Sequence, residues 1–150
     1  MFTKITLENF RSFDHIELDL TEKGNTAKHL AILYGENGAG KSNLMSAFVL
    51  LPELTRTMDA RAAYERILAQ GAIFQDENME KEMREHIRQR LRDMSAIIKD
   101  YQMADCENPI IAEYEFNIDG NNGCYRVEFG QDEILHERLE YVLNRRRGLY

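Results

Sequence analysis

A glycine-rich stretch in the first third of the chain constrains its fold more than any other feature. It matches the phosphate-binding loop pattern G-x-x-x-x-G-K-[ST] at each fixed position and consists of Gly35, Glu36, Asn37, Gly38, Ala39, Gly40, Lys41 and Ser42. Glycines let the backbone curl around phosphate oxygens, and the helix N-terminus that follows adds the positive end of its dipole. The stretch therefore predicts a nucleoside triphosphate site.

Two side chains of the loop have defined roles in this chemistry. The Lys41 ammonium would reach the β- and γ-phosphates as a point charge, which makes it the predicted catalytic residue. The Ser42 hydroxyl would hold a Mg²⁺ ion that bridges these phosphates, which makes it the predicted metal ligand. Both roles require this spacing within the loop.

The flanks of the loop fit the strand and helix that the motif requires. Residues 30–34 form a short apolar run, which predicts a strand buried on both faces of a parallel sheet. Residues 42–51 predict a helix that ends at Pro52. Its apolar face would consist of Leu44, Ala47, Phe48 and Leu51.

Composition fits one ordinary globular domain of 150 residues, 43% of them hydrophobic. No run reaches the roughly 18 to 20 apolar residues of a membrane span, and no signal peptide begins the chain, so we expect a cytoplasmic protein with no membrane partner. The net charge of −7 argues against binding of duplex DNA by this chain alone. Residues 145–147 are all arginine and fit either a solvated turn or a phosphate-contacting patch.

The remaining pattern alternates between strands and helix. Residues 3–7 and 15–20 predict two strands joined by a connector over residues 8–14. Alternation at residues 110–118 and 125–129 predicts a hairpin around a turn at 119–123, and a third strand follows Asp132. Between these sections, residues 53–105 read as a charged helical insertion.

The insertion carries an apolar stripe at helical spacing: Met79, Met83, Ile87, Leu91, Met94, Ile98 and Tyr101. A Met-rich stripe fits either a face packed on its own domain or an adaptable surface for a partner. The sequence alone leaves both interpretations open.

The first section of the chain closely resembles the start of SMC, RecF and OLD-like ATPases. The resemblance rests on residues 5–13, Ile-Thr-Leu-Glu-Asn-Phe-Arg-Ser-Phe, and on the loop continued through Asn43 and Leu44. It extends over residues 1 to 51, and more loosely over the later hairpin. It implies an α/β fold: the N-terminal lobe of an ABC-type P-loop NTPase head, with a mixed sheet, an antiparallel section and a helical insertion. Residues 1–52, 53–105 and 106–150 would then form one ATP-binding lobe.

The same resemblance implies further site residues. Arg11 and Ser12 become candidates for contacting phosphate or ribose, although an exposed connector arginine needs no function. Asn37 could position water or a partner residue near the γ-phosphate, and Asn43 belongs to the same nucleotide-binding loop. The implied cofactors are ATP and Mg²⁺. The implied partners are a second copy joined through ATP-bound heads and, in a longer protein, DNA or another protein.

Two elements of a hydrolytic head are missing from the sequence. No four apolar residues end in the Asp-Glu pair that would bind the magnesium shell and orient water, and no Leu-Ser-Gly-Gly-like signature loop occurs. We therefore expect the N-terminal lobe of a longer ATPase, which binds ATP and hydrolyses it poorly alone. Such a lobe should expose a sheet edge, and we expect it to dimerise or to be marginally soluble. A small phosphotransferase and a nucleotide-switched interaction module are the alternatives.

Overall fold

The computed structural model describes residues 1–22, 26–54, 94–131, 133–143 and 146–149. These form one six-stranded sheet in the order β2-β1-β3-β4-β5-β6, in which each strand is antiparallel to its neighbours. The strands are β1 (Phe2–Phe10), β2 (Phe13–Asp19), β3 (Ile110–Ile118), β4 (Asn121–Phe129), β5 (Ile134–Leu143) and β6 (Arg146–Leu149). The described helical residues are 41–54, named α1, and Met94–Tyr101, named α2.

At the centre of the sheet, the N-terminal strand pairs with the first strand after the predicted insertion. β1 pairs with β3, so that Leu7 lies opposite Ala112. Both side chains are fully buried, as the period-two alternation of their strands predicts for residues on the core face. The antiparallel section of the predicted fold is therefore confirmed.

The β3–β4 hairpin is tighter than the sequence pattern predicted. Its turn consists of Asp119 and Gly120, with φ angles of 51° and 80°, and Asn121 already pairs with Ile118. Positive φ at both central residues is the requirement of a two-residue type I′ turn, for which Asp-Gly is a preferred sequence. The predicted five-residue turn was wrong because residues 121–123 belong to β4.

Both helices pack on the core face of the sheet. α1 buries Leu44, Ala47, Leu50 and Leu54, and α2 buries Ile97, Ile98 and Tyr101. The buried Tyr114 hydroxyl donates a 2.7 Å hydrogen bond to the Ala47 carbonyl, which ties α1 to β3. Full burial of a side chain such as Leu50 contributes about 1.5–3 kcal/mol. For the described end of the insertion, packing on its own domain is confirmed.

The predicted buried strand at residues 30–34 was wrong. These residues lie in no strand, and Leu30, Ile32 and Tyr34 are 76%, 75% and 93% exposed. A strand needs at least one hydrogen-bonded neighbour, and no described strand pairs with this segment. The sheet of the described residues is accordingly antiparallel, whereas a mixed sheet was expected.

Pro52 does not end α1, since the helix continues to residue 54. A proline lacks the N–H that would bond the carbonyl four residues earlier, here that of Phe48, but Pro52 is exposed and the helical residues extend past it. The helix therefore gains another buried residue, Leu54.

The predicted connector at residues 8–14 is shorter, because the paired strands leave only Arg11 and Ser12 between them. The third strand after Asp132 is confirmed as β5. In the arginine cluster the backbone of residues 146 and 147 lies in β6, so the solvated turn was wrong for that pair. Most of the predicted insertion, residues 55–93, lies outside the described residues.

Candidate nucleotide-binding site

The glycine-rich loop leads directly into the first turn of α1. Gly38 and Gly40 have φ angles of 87° and 84°, a region that glycine enters without steric cost. The Leu44 N–H donates to the Gly40 carbonyl over 2.9 Å and so closes the first helical turn. The amides of residues 41–43 precede that bond and have no acceptor one turn earlier. Together with the helix dipole, they form an anion-binding arrangement.

The Lys41 side chain folds back across the loop. Its Nζ donates to the Gly35 carbonyl over 2.8 Å and to the Glu36 carbonyl over 2.6 Å. The Ala39 N–H also donates to the Glu36 carbonyl, over 3.2 Å. These bonds close the loop on itself and place a positive charge beside its exposed backbone.

Gly40 lies against the turn between β1 and β2. A Cβ atom at this position would lie 2.7 Å from Phe13 Cζ, which is closer than such atoms approach in proteins, and 3.2 Å from Ser12 Oγ, which is tighter than most such contacts. Glycine is therefore required here for two reasons, the positive φ angle and the close approach. Sequence reasoning missed Phe13, because nothing in its local pattern indicates that it supports the loop.

A hydrogen bond joins the same turn to α1. The Asn43 side-chain amide donates to Ser12 Oγ over 2.8 Å. The structure thus brings three predicted site residues together, namely Ser12, Gly40 and Asn43. Asn37 and Ser42 are exposed on the loop and at the start of α1.

The Arg11 side chain packs against α2. Its guanidinium carbon lies 5.0 Å from the centre of the Tyr101 ring, and its backbone N–H donates to the Tyr101 carbonyl over 2.7 Å. Its Nε is buried and has no hydrogen-bond partner within the described part of the chain. Arg11 is therefore held by a residue that sequence reasoning did not connect to the site.

A triphosphate fits these residues. The positive-φ glycines, the amides that open α1 and the Lys41 ammonium form a concave cationic backbone site. The exposed Ser42 hydroxyl offers one oxygen ligand of the kind that Mg²⁺ prefers. Within the described ranges, no three His, Cys, Asp or Glu side chains cluster as a metal site.

An apolar cleft of about 960 Å³ lies beside the loop. The segment 31–33 forms one wall, and the outer face of α1 forms the other, including Lys41, Ser42, Met45 and Val49. Met45 and Val49 are both about half exposed, which is unusual for neighbouring apolar side chains on one helix face. The cleft thus continues from the phosphate loop along an uncovered apolar surface.

The class of this region follows from its sequence relatives. Residues 4–52 match the family model of an AAA domain. A relative from Bacillus mycoides (strain KBAB4), the DNA replication and repair protein RecF, is 41% identical over 49 residues. That match covers 33% of this chain and 12% of the RecF protein's length. Both matches support the N-terminal region of an SMC/RecF-like P-loop ATPase, so the predicted resemblance is confirmed.

In the described part of the chain, no helix is both long and apolar enough to cross a membrane. Where the protein resides in the cell stays a prediction.

Proposed function

We propose that the chain is the Mg-ATP-binding N-terminal lobe of an SMC/RecF/OLD-like ATPase. The observation that carries the proposal is the packing of Gly40 on Ser12 and Phe13, at the start of a helix whose first residue is Lys41. This contact brings together the β1–β2 turn and the glycine-rich loop, the two segments on which the resemblance rests. A solvated glycine-rich turn would need no such support.

In this proposal the amides from Gly38 to Asn43 bind phosphate oxygens, and the Lys41 ammonium exchanges loop carbonyls for the β- and γ-phosphates. Mg²⁺, when bound there, would supply neutralisation of the phosphate charge. The Ser42 hydroxyl would hold the metal, and Asn37 would position water or a partner residue around the γ-phosphate. Arg11 and Ser12 border the nucleotide from the β1–β2 turn.

Hydrolysis would require a second half that supplies a magnesium-binding carboxylate pair and a signature loop. The uncovered apolar segment 30–34 and the cleft beside α1 support this, because both offer apolar surface to a neighbouring sheet. A homodimer joined through ATP-bound heads would complete each site. DNA is a candidate partner of the longer protein, since the RecF relative is named for DNA replication and repair.

Titration of the purified chain with Mg-ATP tests the proposal. Lys41→Ala should weaken ATP binding about tenfold or more, because a charge-assisted hydrogen bond contributes about 1.5–3 kcal/mol. Lys28→Ala is the matched control, since Lys28 Nζ also donates to a backbone carbonyl, that of Asp19, away from the loop. Equal ATP affinity in Lys41→Ala and the unmodified chain would overturn the proposal. Turnover at ordinary ATPase rates would overturn the need for a second half.

A further inference from the structure

Residues at the end of α2 hold the turn between β1 and β2. The Tyr101 carbonyl accepts the Arg11 N–H, and the Met103 N–H donates to the Asn9 carbonyl over 3.1 Å. Asn9 and Arg11 have φ angles of 53° and 51°, a region that is uncommon for residues other than glycine and that an arginine adopts where its surroundings hold it there. The end of α2 supplies those surroundings.

The Tyr101 side chain links this turn to the rest of the core. It is 4% exposed, and its ring stacks on Phe10 with the ring centres 5.3 Å apart. The same ring lies under the Arg11 guanidinium, which is a cation–π arrangement. Its hydroxyl donates to Glu53 Oε2 over 2.9 Å. One side chain therefore contacts the turn, β1 and α1.

The turn that Tyr101 holds is the one that supports the phosphate loop. Ser12 directly follows Arg11, and its hydroxyl accepts the hydrogen bond from Asn43. A shift of the Arg11 backbone would therefore move the Ser12 hydroxyl relative to Asn43 and Gly40. A continuous series of contacts, from Tyr101 to Arg11 and from Ser12 to Asn43, therefore connects α2 with the first turn of α1.

We propose that Tyr101 is a positioning residue of the nucleotide site, which acts through Arg11 on the β1–β2 turn and so on ATP affinity. The proposal rests on the function proposed above. Because a coupling free energy is reciprocal, bound ATP would in turn stabilise the contact between α2 and this turn. The packing of α2, the helix that follows residues 55–93, against the β1–β2 turn would thus be energetically linked to nucleotide binding.

A double-mutant cycle on the full chain tests the route through Arg11. Tyr101→Leu should weaken Mg-ATP affinity about fivefold, an effect typical of a lost cation–π contact. In an Arg11→Ala background the same substitution should change affinity less than about twofold, although it still lowers the urea midpoint. Equal effects in both backgrounds, or unchanged affinity in Tyr101→Leu, would overturn the positioning role.

Tyr125→Leu is the matched control. The Tyr125 hydroxyl also donates to a glutamate, Glu137, over 2.7 Å, and its ring stacks on Tyr114. It should lower stability and leave ATP affinity unchanged. Lys41→Ala, measured in parallel, separates the two proposals. Unchanged affinity in Lys41→Ala overturns the proposed function, whereas lost affinity there with unchanged affinity in Tyr101→Leu overturns only the positioning role.

Hydrogen exchange gives a second readout that needs no Tyr101→Leu protein. In the unmodified chain, Mg-ATP should slow exchange at the Arg11 and Met103 amides, the two donors that join the turn to the end of α2. Lys41→Ala should abolish the slowing. Binding of ATP that leaves both amides unprotected would overturn the linkage.

Discussion

The Asn43 side-chain amide donates a hydrogen bond to the Ser12 hydroxyl, 31 residues earlier in the chain. Ser12 lies in the turn between the first two strands, and Asn43 lies in the first turn of the helix that follows the phosphate loop. The bond fixes these segments relative to each other beside Gly40. A geometry of this kind is needed if both segments are to contact one nucleotide.

Ser12→Ala should weaken Mg-ATP affinity about 2- to 10-fold, because a typical net hydrogen bond contributes about 0.5–1.5 kcal/mol. Asn43→Ala should have a similar effect, and the double substitution should add little, since both remove the same bond. Isothermal titration calorimetry measures all three. Thr21→Ala is the control, because the Thr21 hydroxyl donates to Asp19 in an exposed turn away from the loop. Additive losses would show that the bond itself is not the cause.

Gly40→Ala should lower the free energy of unfolding by about 2–5 kcal/mol, from a strained φ angle together with the clash on Phe13. Gly120→Ala provides a matched control, since its φ angle is 80° and no atom lies within 4 Å of an added Cβ. In the control, only the strained φ angle should lower the free energy of unfolding, by about 1–3 kcal/mol. Urea unfolding compares the two, and equal losses would contradict the close approach at Gly40.

Stability should fall above about pH 10 because burial raises the pKa of Tyr114 well above its usual value. The neighbouring Tyr125 and Tyr101 raise this pKa further, by smaller amounts. The folded state keeps the phenol protonated, whereas the unfolded chain releases the proton. The stabilising contribution is therefore present below the unfolded pKa and is lost as pH rises, by about 1.4 kcal/mol per pH unit for each such group.

Tyr114→Phe isolates the contribution of that phenol. Near neutral pH it should cost about 0.5–1.5 kcal/mol, from the lost hydrogen bond to the Ala47 carbonyl. Between about pH 10 and pH 11.5 its free energy of unfolding should fall less steeply than that of the unmodified chain. Some slope should remain, because burial also raises the pKa of Tyr125. Parallel curves from urea unfolding would contradict the assignment.

Ile32→Lys should reduce self-association of the chain, because it places a charge in the uncovered apolar segment beside α1. The side chain is already exposed, so the free energy of unfolding should stay within about 0.5 kcal/mol. Leu135→Lys is the control, since Leu135 is a half-exposed apolar residue on β5 outside the cleft. Sedimentation velocity over a range of concentrations compares them. Equal association in both variants would show that the segment does not drive self-association.

Local patterns predicted much of this fold. The alternation at Ile110, Ala112 and Tyr114 correctly assigned the core face of β3, since a period of two follows from strand geometry alone. The phosphate loop was found because its glycines and lysine have fixed spacing. By contrast, the apolar run at residues 30–34 did not form a strand, because pairing depends on partners that its own sequence does not specify.

Contacts distant in sequence were also not predicted. Tyr101 was read only as one member of an apolar helix face, although it contacts Arg11 and Glu53, 90 and 48 residues away. The support that Phe13 gives Gly40 was missed for the same reason. Periodicity identifies which side of a helix or strand is buried, but not which residues it meets there.

Amide chemical-shift mapping of Mg-ATP binding tests the central claim most directly. We expect saturable shifts at the amides of Gly38, Gly40 and Asn43, together with Ser12 in the supporting turn, and their loss in Lys41→Ala. Saturable binding that leaves these amides unshifted, or an unchanged pattern in Lys41→Ala, would contradict a nucleotide site at the glycine-rich loop.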